Sequence, residues 1–220
     1  MRWIGESKRL RTLNLTTTIV LAPMALVSCG SQERSRPDPR AIGMAQTAPA
    51  RPPQPSAETL NARLQALDRA VKRWQAASRL HVAHEAAEET RNLIVGPSGP
   101  YYRDANGDGK FAGANTVGIL PGLKGGTSLA RPDDNACVIA DIRGGSWQEP
   151  AKRWSQLQSA ISRWTPFRNT FPSLPSHVQR VVGWATLTLK SDSLVEVRAH
   201  AKHARLHVDI ALLALNNCRR

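Results

Sequence analysis

Nowhere does this chain of 220 residues hold an apolar run long enough to cross a bilayer as a stable helix. Methionine occurs only at Met1, Met24 and Met44, and no Cys-x-x-Cys-His string is present. Together these exclude c-type haem attachment and methionine ligation of haem in a folded domain, and leave at most a bis-histidine arrangement. Gly-x-Ser-x-Gly, a P-loop and a Rossmann dinucleotide fingerprint are absent, so nothing signals nucleophilic hydrolysis or nucleotide chemistry. Acidic residues are scarce, 17 against 30 basic ones, for a formal net charge of +13. Such a surface favours anionic partners, and components of a cell envelope fit that description. The basic residues are scattered rather than clustered, which argues against nucleic acid as a partner.

What the N-terminus does contain is a secretory pattern. Lys8, Arg9 and Arg11 precede a moderately apolar stretch from Leu13 to Val27. Thr16, Thr17, Thr18 and Pro23 interrupt it, so it is too short and too polar to remain as a membrane span. The stretch closes on Leu26-Val27-Ser28-Cys29, which resembles the lipobox of bacterial lipoproteins. The resemblance implies that residues 1–28 are a signal peptide, that cleavage falls before Cys29, and that this cysteine carries the lipid of a membrane anchor. Gly30 follows where many inner-membrane lipoproteins have Asp, so the outer membrane is favoured in a two-membrane bacterium. Two cysteines then remain, Cys137 and Cys218, and an exported compartment permits a disulfide between them.

Residues 29–56 carry Pro37, Pro39, Pro49, Pro52, Pro53 and Pro55 among Ser, Arg, Gln and Ala, a composition that buries no core and reads as a disordered tether. The folded domain is expected over 57–220, mainly α and four-helix-bundle-like. Leu60, Leu64, Leu67, Val71 and Trp74 mark one helical stripe. The period continues through Ser78, His81, Glu85, Glu88 and Asn92 and stops at Gly96-Pro97, so one helix is predicted up to Val95. A Gly/Pro-rich loop, 97–145, is predicted between this first helix and the second. Eleven of the fifteen glycines fall between Gly96 and Gly145, and a long irregular stretch of this kind is often functional. Within it Cys137-Val138-Ile139-Ala140 is the one strand-like run. Helices are then predicted from capping-box patterns at Ser146/Glu149, Ser176/Gln179 and Ser193/Glu196. Four helices with one apolar face each make a bundle the natural arrangement.

Two constellations point to metal. Asp104-Ala105-Asn106-Gly107-Asp108-Gly109 resembles the calcium loop of EF-hand and dockerin-type proteins. Calcium takes six to eight hard oxygen ligands, and glycine at the sixth position permits the sharp turn that gathers them. The resemblance implies Asp104, Asn106 and Asp108 as side-chain ligands and Lys110 as a carbonyl ligand. The twelfth position is Asn115 rather than Glu, so the set needs completing, with Asp133 and Asp134 as candidates. The second constellation is histidine. His200, His203 and His207 share one face of the last helix, while His81 with Glu85 and His84 with Glu88 stand at i, i+4 on the first. If those helices were neighbours, the five histidines and two carboxylates would converge on a transition metal such as zinc or copper. The nearest zinc-protease string, His84-Glu85-Ala86-Ala87-Glu88, ends in Glu rather than His.

The expectation is therefore a lipid-anchored, extracytoplasmic helical module that binds metal, not a recognisable enzyme. The alternatives are a structural or envelope-interaction protein without a metal site, and a metalloenzyme using Glu85 or Glu88 as base.

Overall fold

The computed structural model describes residues 59–114, 116–166 and 170–217. The expected signal peptide, Cys29 and the whole of the tether lie outside that range, as do Asn115 and Cys218. The described residues form helices α1 (Leu60–Ala76), α2 (Leu80–Val95), α3 (Pro150–Ser162), α4 (His177–Thr188) and α5 (Leu194–Asn217), with a short π-helical segment at Val138–Arg143. The fold is mainly helical, and no strand occurs among the described residues.

The single first helix expected from the sequence is two. Chain direction reverses across Ala77–Arg79, where Ala77 and Arg79 adopt extended backbone. No glycine or proline marks the break. It is stabilised from elsewhere: Arg198 on α5 donates from Nε and Nη2 to the Ala77 carbonyl, each at 3.2 Å. An uninterrupted helix of that length would expose most of its surface, whereas a hairpin buries α1 and α2 against each other.

The four bundle helices are consequently α1, α2, α4 and α5. Helix α1 lies between α2 and α5, and α4 closes the ring by packing on both α2 and α5. The diagonal pair α2 and α5 scarcely meets. Leu64, Leu67, Val71, Trp74, Ile94, Val178, Val182, Trp184, Val197, Ala201, Ala204 and Val208 fill the interior. Small residues on α2 (Ala83, Ala86, Ala87) and α5 bring the backbones close. Helix α3, expected as a bundle member, packs on the outside of α4.

Two local expectations fail. The run Cys137-Val138-Ile139-Ala140, read as strand-like, is helical, with Val138–Arg143 in π-helix, because packing of Val138 and Ile142 against α4 and α5 overrides local propensity. Ser146 caps nothing: α3 begins at Pro150, with Glu149 in the cap position making no side-chain cap bond. Proline at the first helical position costs no donor, so the start moves there. The other two boxes behave differently. Ser176 and Gln179 form a complete reciprocal box. Ser193 Oγ accepts from Glu196 N at 3.4 Å, but the Glu196 carboxylate turns to the Ser191 hydroxyl at 2.7 Å.

The Gly/Pro-rich segment therefore follows α2, the second helix rather than the first, and it is bound to the bundle at many points. Buried Arg63 on α1 donates to the carbonyls of Leu93 (2.9 Å) and Val117 (3.0 Å), joining three parts of the chain. A close approach of Gly96 to Gly118 lets Leu120 N reach Ile94 O at 3.1 Å. A Cβ on Gly96 would sit 2.2 Å from Gly118 N, and its φ is +62°, so only glycine fits here.

Candidate functional site

The polar half of the α2 stripe receives a loop. Glu88, almost fully buried, accepts from Ala105 N at 2.6 Å and Asn106 N at 3.0 Å through one oxygen, and from Ala112 N at 3.3 Å through the other. One turn on, Asn92 donates from Nδ2 to the carbonyls of Arg103 (3.2 Å) and Ala112 (2.8 Å) and accepts from Arg103 N at 3.4 Å. Glu88 and Asn92 thus hold both ends of the segment that carries the Asp-x-Asn-x-Asp-Gly pattern. Sequence reasoning placed Glu88 in a metal set and left Asn92 without a role. The helical spacing of the two was visible, but the backbone they bind was not.

Inside that clamp, the segment turns around Asp104. Its Oδ1 accepts from Gly107 N (2.8 Å) and Asp108 N (3.2 Å), and its Oδ2 from Gly109 N (2.8 Å). Asn106 Oδ1 accepts from Asp108 N at 3.0 Å, and Asp108 Oδ1 from Lys110 N at 2.8 Å. Gly107 and Gly109 take positive φ, +75° and +81°, as the tight turn requires. The three oxygen-bearing side chains therefore share one turn. Asp104 and Asn106 are half-buried, and Asp108 and Lys110 are exposed. The proposed completing residues are engaged elsewhere: Asp134 accepts from Arg131 N at 2.7 Å, and Asp133 pairs with the Arg131 guanidinium at 3.2 Å.

The histidines divide into separate environments. His81 is exposed, as is Glu85. His84 Nε2 lies 3.1 Å from the Ser191 carbonyl beyond the end of α4. On α5, His200 is buried edge-on to Trp164 and beside Trp184, with Nδ1 3.3 Å from the Thr188 hydroxyl. His203 stacks on Trp184 at 4.4 Å and 13°. His207 faces His177 of α4, Nδ1 to Nδ1, at 3.0 Å. His177 had no assigned role in the sequence, since its partner lies thirty positions away.

Burial pushes His177, His200, His203 and His207 all below the ordinary imidazole value, and His207 falls to about 4 because His177, Arg180 and His203 add positive charge nearby. The two groups of histidines do not meet. The hairpin at 77–79 leaves α1, not α2, beside α5, and His81 and His84 ride on α2 across the diagonal. Among the described residues, no group of three or more His, Cys, Asp or Glu side chains is gathered to hold a metal ion. Cys137 is disulfide-bonded; both other cysteines, 29 and 218, lie outside the described residues.

Comparison with protein-family models, with curated proteins and with solved structures finds no match for this chain.

Proposed function

We propose that this protein is a lipid-anchored, extracytoplasmic binding module whose loop at 104–110 takes calcium. One observation carries the reading: the backbone of the loop is wound around the Asp104 carboxylate, so that Asp104, Asn106 and Asp108 line a single turn. Three amides occupy most of the roughly four lone-pair positions of Asp104, leaving about one for a hard cation, on its Oδ2. The clamp by Glu88 and Asn92 presents that turn preformed, which lowers the entropy cost of assembling ligands. Two carboxylates, one amide oxygen and the Lys110 carbonyl make a short set, with water filling the exposed side. Affinity in the millimolar-to-micromolar range follows. In this reading Cys29 carries the anchor, Cys137 pairs with Cys218, and the basic surface meets anionic envelope components.

Calorimetric titration of the purified protein with calcium chloride tests the loop. The expected outcome is saturable heat with wild type, and at least tenfold weaker binding for Asp108→Ala, an exposed change that leaves the Asp104 turn in place. Absence of heat at 10 mM calcium would end the calcium reading.

A second reading, a structural envelope lipoprotein, is favoured by the histidines. His200 and His203 pack with Trp164 and Trp184 as core and seam residues rather than as ligands. A transition-metal site and a metalloenzyme are not carried further, since the histidines are divided between opposite helices and, among the described residues, no three metal-ligating side chains are gathered.

A further inference from the structure

Basic residues are scattered along the sequence, yet five of them line two clefts around one helix. Helix α3 lies on the outside of α4, with a cleft along each flank. One, of about 340 Å³, is lined among others by Tyr101, Arg103, Trp154, Gln158, Thr186 and Lys190. The other, of about 680 Å³, is lined among others by Lys152, Arg153, Gln156, Ser159, Arg163 and Ser173. Ser155 lines both, so the two clefts adjoin across α3. Among the described residues, no acidic side chain lines either of them.

The charge on this surface is left uncompensated. Arg103, Arg163 and Lys190 are exposed and form no ion pair among the described residues. Lys152 meets Glu149 at 2.8 Å, but both side chains are exposed, and such a pair is weak in water. Arg153 is fixed in place, donating to the Gly144 carbonyl and lying 5.8 Å from the centre of the Trp147 ring. Lys152 and Arg153 stand at the start of α3, whose first turn holds no acidic residue. Cations there oppose the positive end of the helix dipole. An anion laid across α3 relieves that opposition.

Between the cations stand neutral groups. Ser155, Gln156, Gln158 and Ser162 are exposed, and their side chains make no hydrogen bond among the described residues. Tyr101 and Trp154 meet at 6.1 Å in the first cleft. Aromatic rings beside uncommitted hydroxyls and amides suit a sugar, which presents both C–H faces and hydroxyl edges. The cations add a demand for acid groups. A bilayer calls for apolar side chains that project into it, and duplex nucleic acid for a denser row of cations. Concave polar clefts match neither.

We infer that α3 and its two clefts form a binding surface for an acidic polysaccharide, which crosses the helix at Ser155, sets its acid groups on the five cations and lays a sugar face against Tyr101 and Trp154. This rests on the reading that the basic surface meets anionic envelope components, and it names the surface and the chemistry of the partner. It is independent of the calcium loop.

Calorimetry and tryptophan fluorescence of the purified protein test it, with oligogalacturonate, dextran sulfate, neutral maltoheptaose, a DNA duplex and phosphatidylglycerol vesicles as probes. The expected result is saturable binding of at least one acidic glycan and none of maltoheptaose. Affinity should fall about tenfold or more as sodium chloride rises from about 50 to about 300 mM. The double variant Arg103→Ala/Lys190→Ala on one flank, and Lys152→Ala/Arg163→Ala on the other, are each expected to weaken binding about tenfold. Ser155→Glu, which sets an acid on the shared wall, is expected to abolish it. All five side chains are exposed, so Tm should hold in each variant. Lys202→Ala, an exposed change on α5, which does not pack on α3, should leave binding unchanged. Failure of both acidic glycans to bind, or an equal loss in Lys202→Ala, would overturn the proposal. Tighter binding of vesicles or DNA than of either glycan would also overturn it, while keeping the broader reading of an anionic partner.

Discussion

At the scale of single residues, one carboxylate decides whether the loop at 104–112 stays on its helix. Glu88 is buried and accepts three backbone N–H groups from that loop. A buried carboxylate so engaged needs no cation beside it, because the amides supply its hydrogen bonds in a fixed arrangement. Its removal leaves three donors unmatched at once. Glu88→Ala is therefore expected to lower stability by on the order of 3 kcal/mol. Glu88→Gln, which keeps one accepting oxygen, recovers part of that loss. Urea unfolding measures both, and an unchanged midpoint in the alanine variant would mean that Asn92 alone holds the loop. Arg63 works by the same logic at the C-terminal end of α2, where a buried guanidinium satisfies the carbonyls of Leu93 and Val117.

At the scale of elements, the seam between α4 and α5 is the most extensive contact in the bundle and carries four histidines. Facing them are Arg180, Asp141 and Glu196. The His177–His207 contact needs one ring nitrogen to donate and the other to accept, so it tolerates at most one extra proton in the pair. All four pKa values lie below 6.5 in the folded protein, chiefly through burial, and that of His207 is about 4. Between those values the unfolded chain binds more protons than the folded one, so stability falls as pH drops from 6.5 towards 4. Above 6.5 these groups contribute no pH dependence. Tm measured from pH 8 to pH 4 is expected to be flat and then to decline, and His207→Leu should shallow the lower part of that decline. A midpoint independent of pH below 6.5 would contradict the neutral seam.

At the scale of the whole molecule, the reading as an envelope protein rests on Cys29, and it has its own test. Cys29→Ser is expected to move the protein out of the membrane fraction or to leave it as an uncleaved precursor, as fractionation with an electrophoretic mobility assay would show. Unchanged processing and membrane association would remove the anchor, and with it the argument from compartment to partner. The ring of α1, α2, α4 and α5 leaves α2 to carry the loop at 104–112 through Glu88 and Asn92.

The helical class, the apolar stripes of α1 and α5 and the Ser176 capping box were legible in the sequence, because periodicity and capping are local and repeat with the helix itself. The Asp104–Gly109 turn was legible for the same reason: its glycines and side-chain oxygens act within six positions. The division of the first helix at Ala77–Arg79 was not, since its partner is Arg198, over a hundred positions away. That one break moved His81 and His84 to the diagonal of the ring and gave Glu88 and Asn92 to the loop. Local spacing sets which side chains share a face; which faces meet depends on long-range burial, and only the assembled tertiary structure decides it.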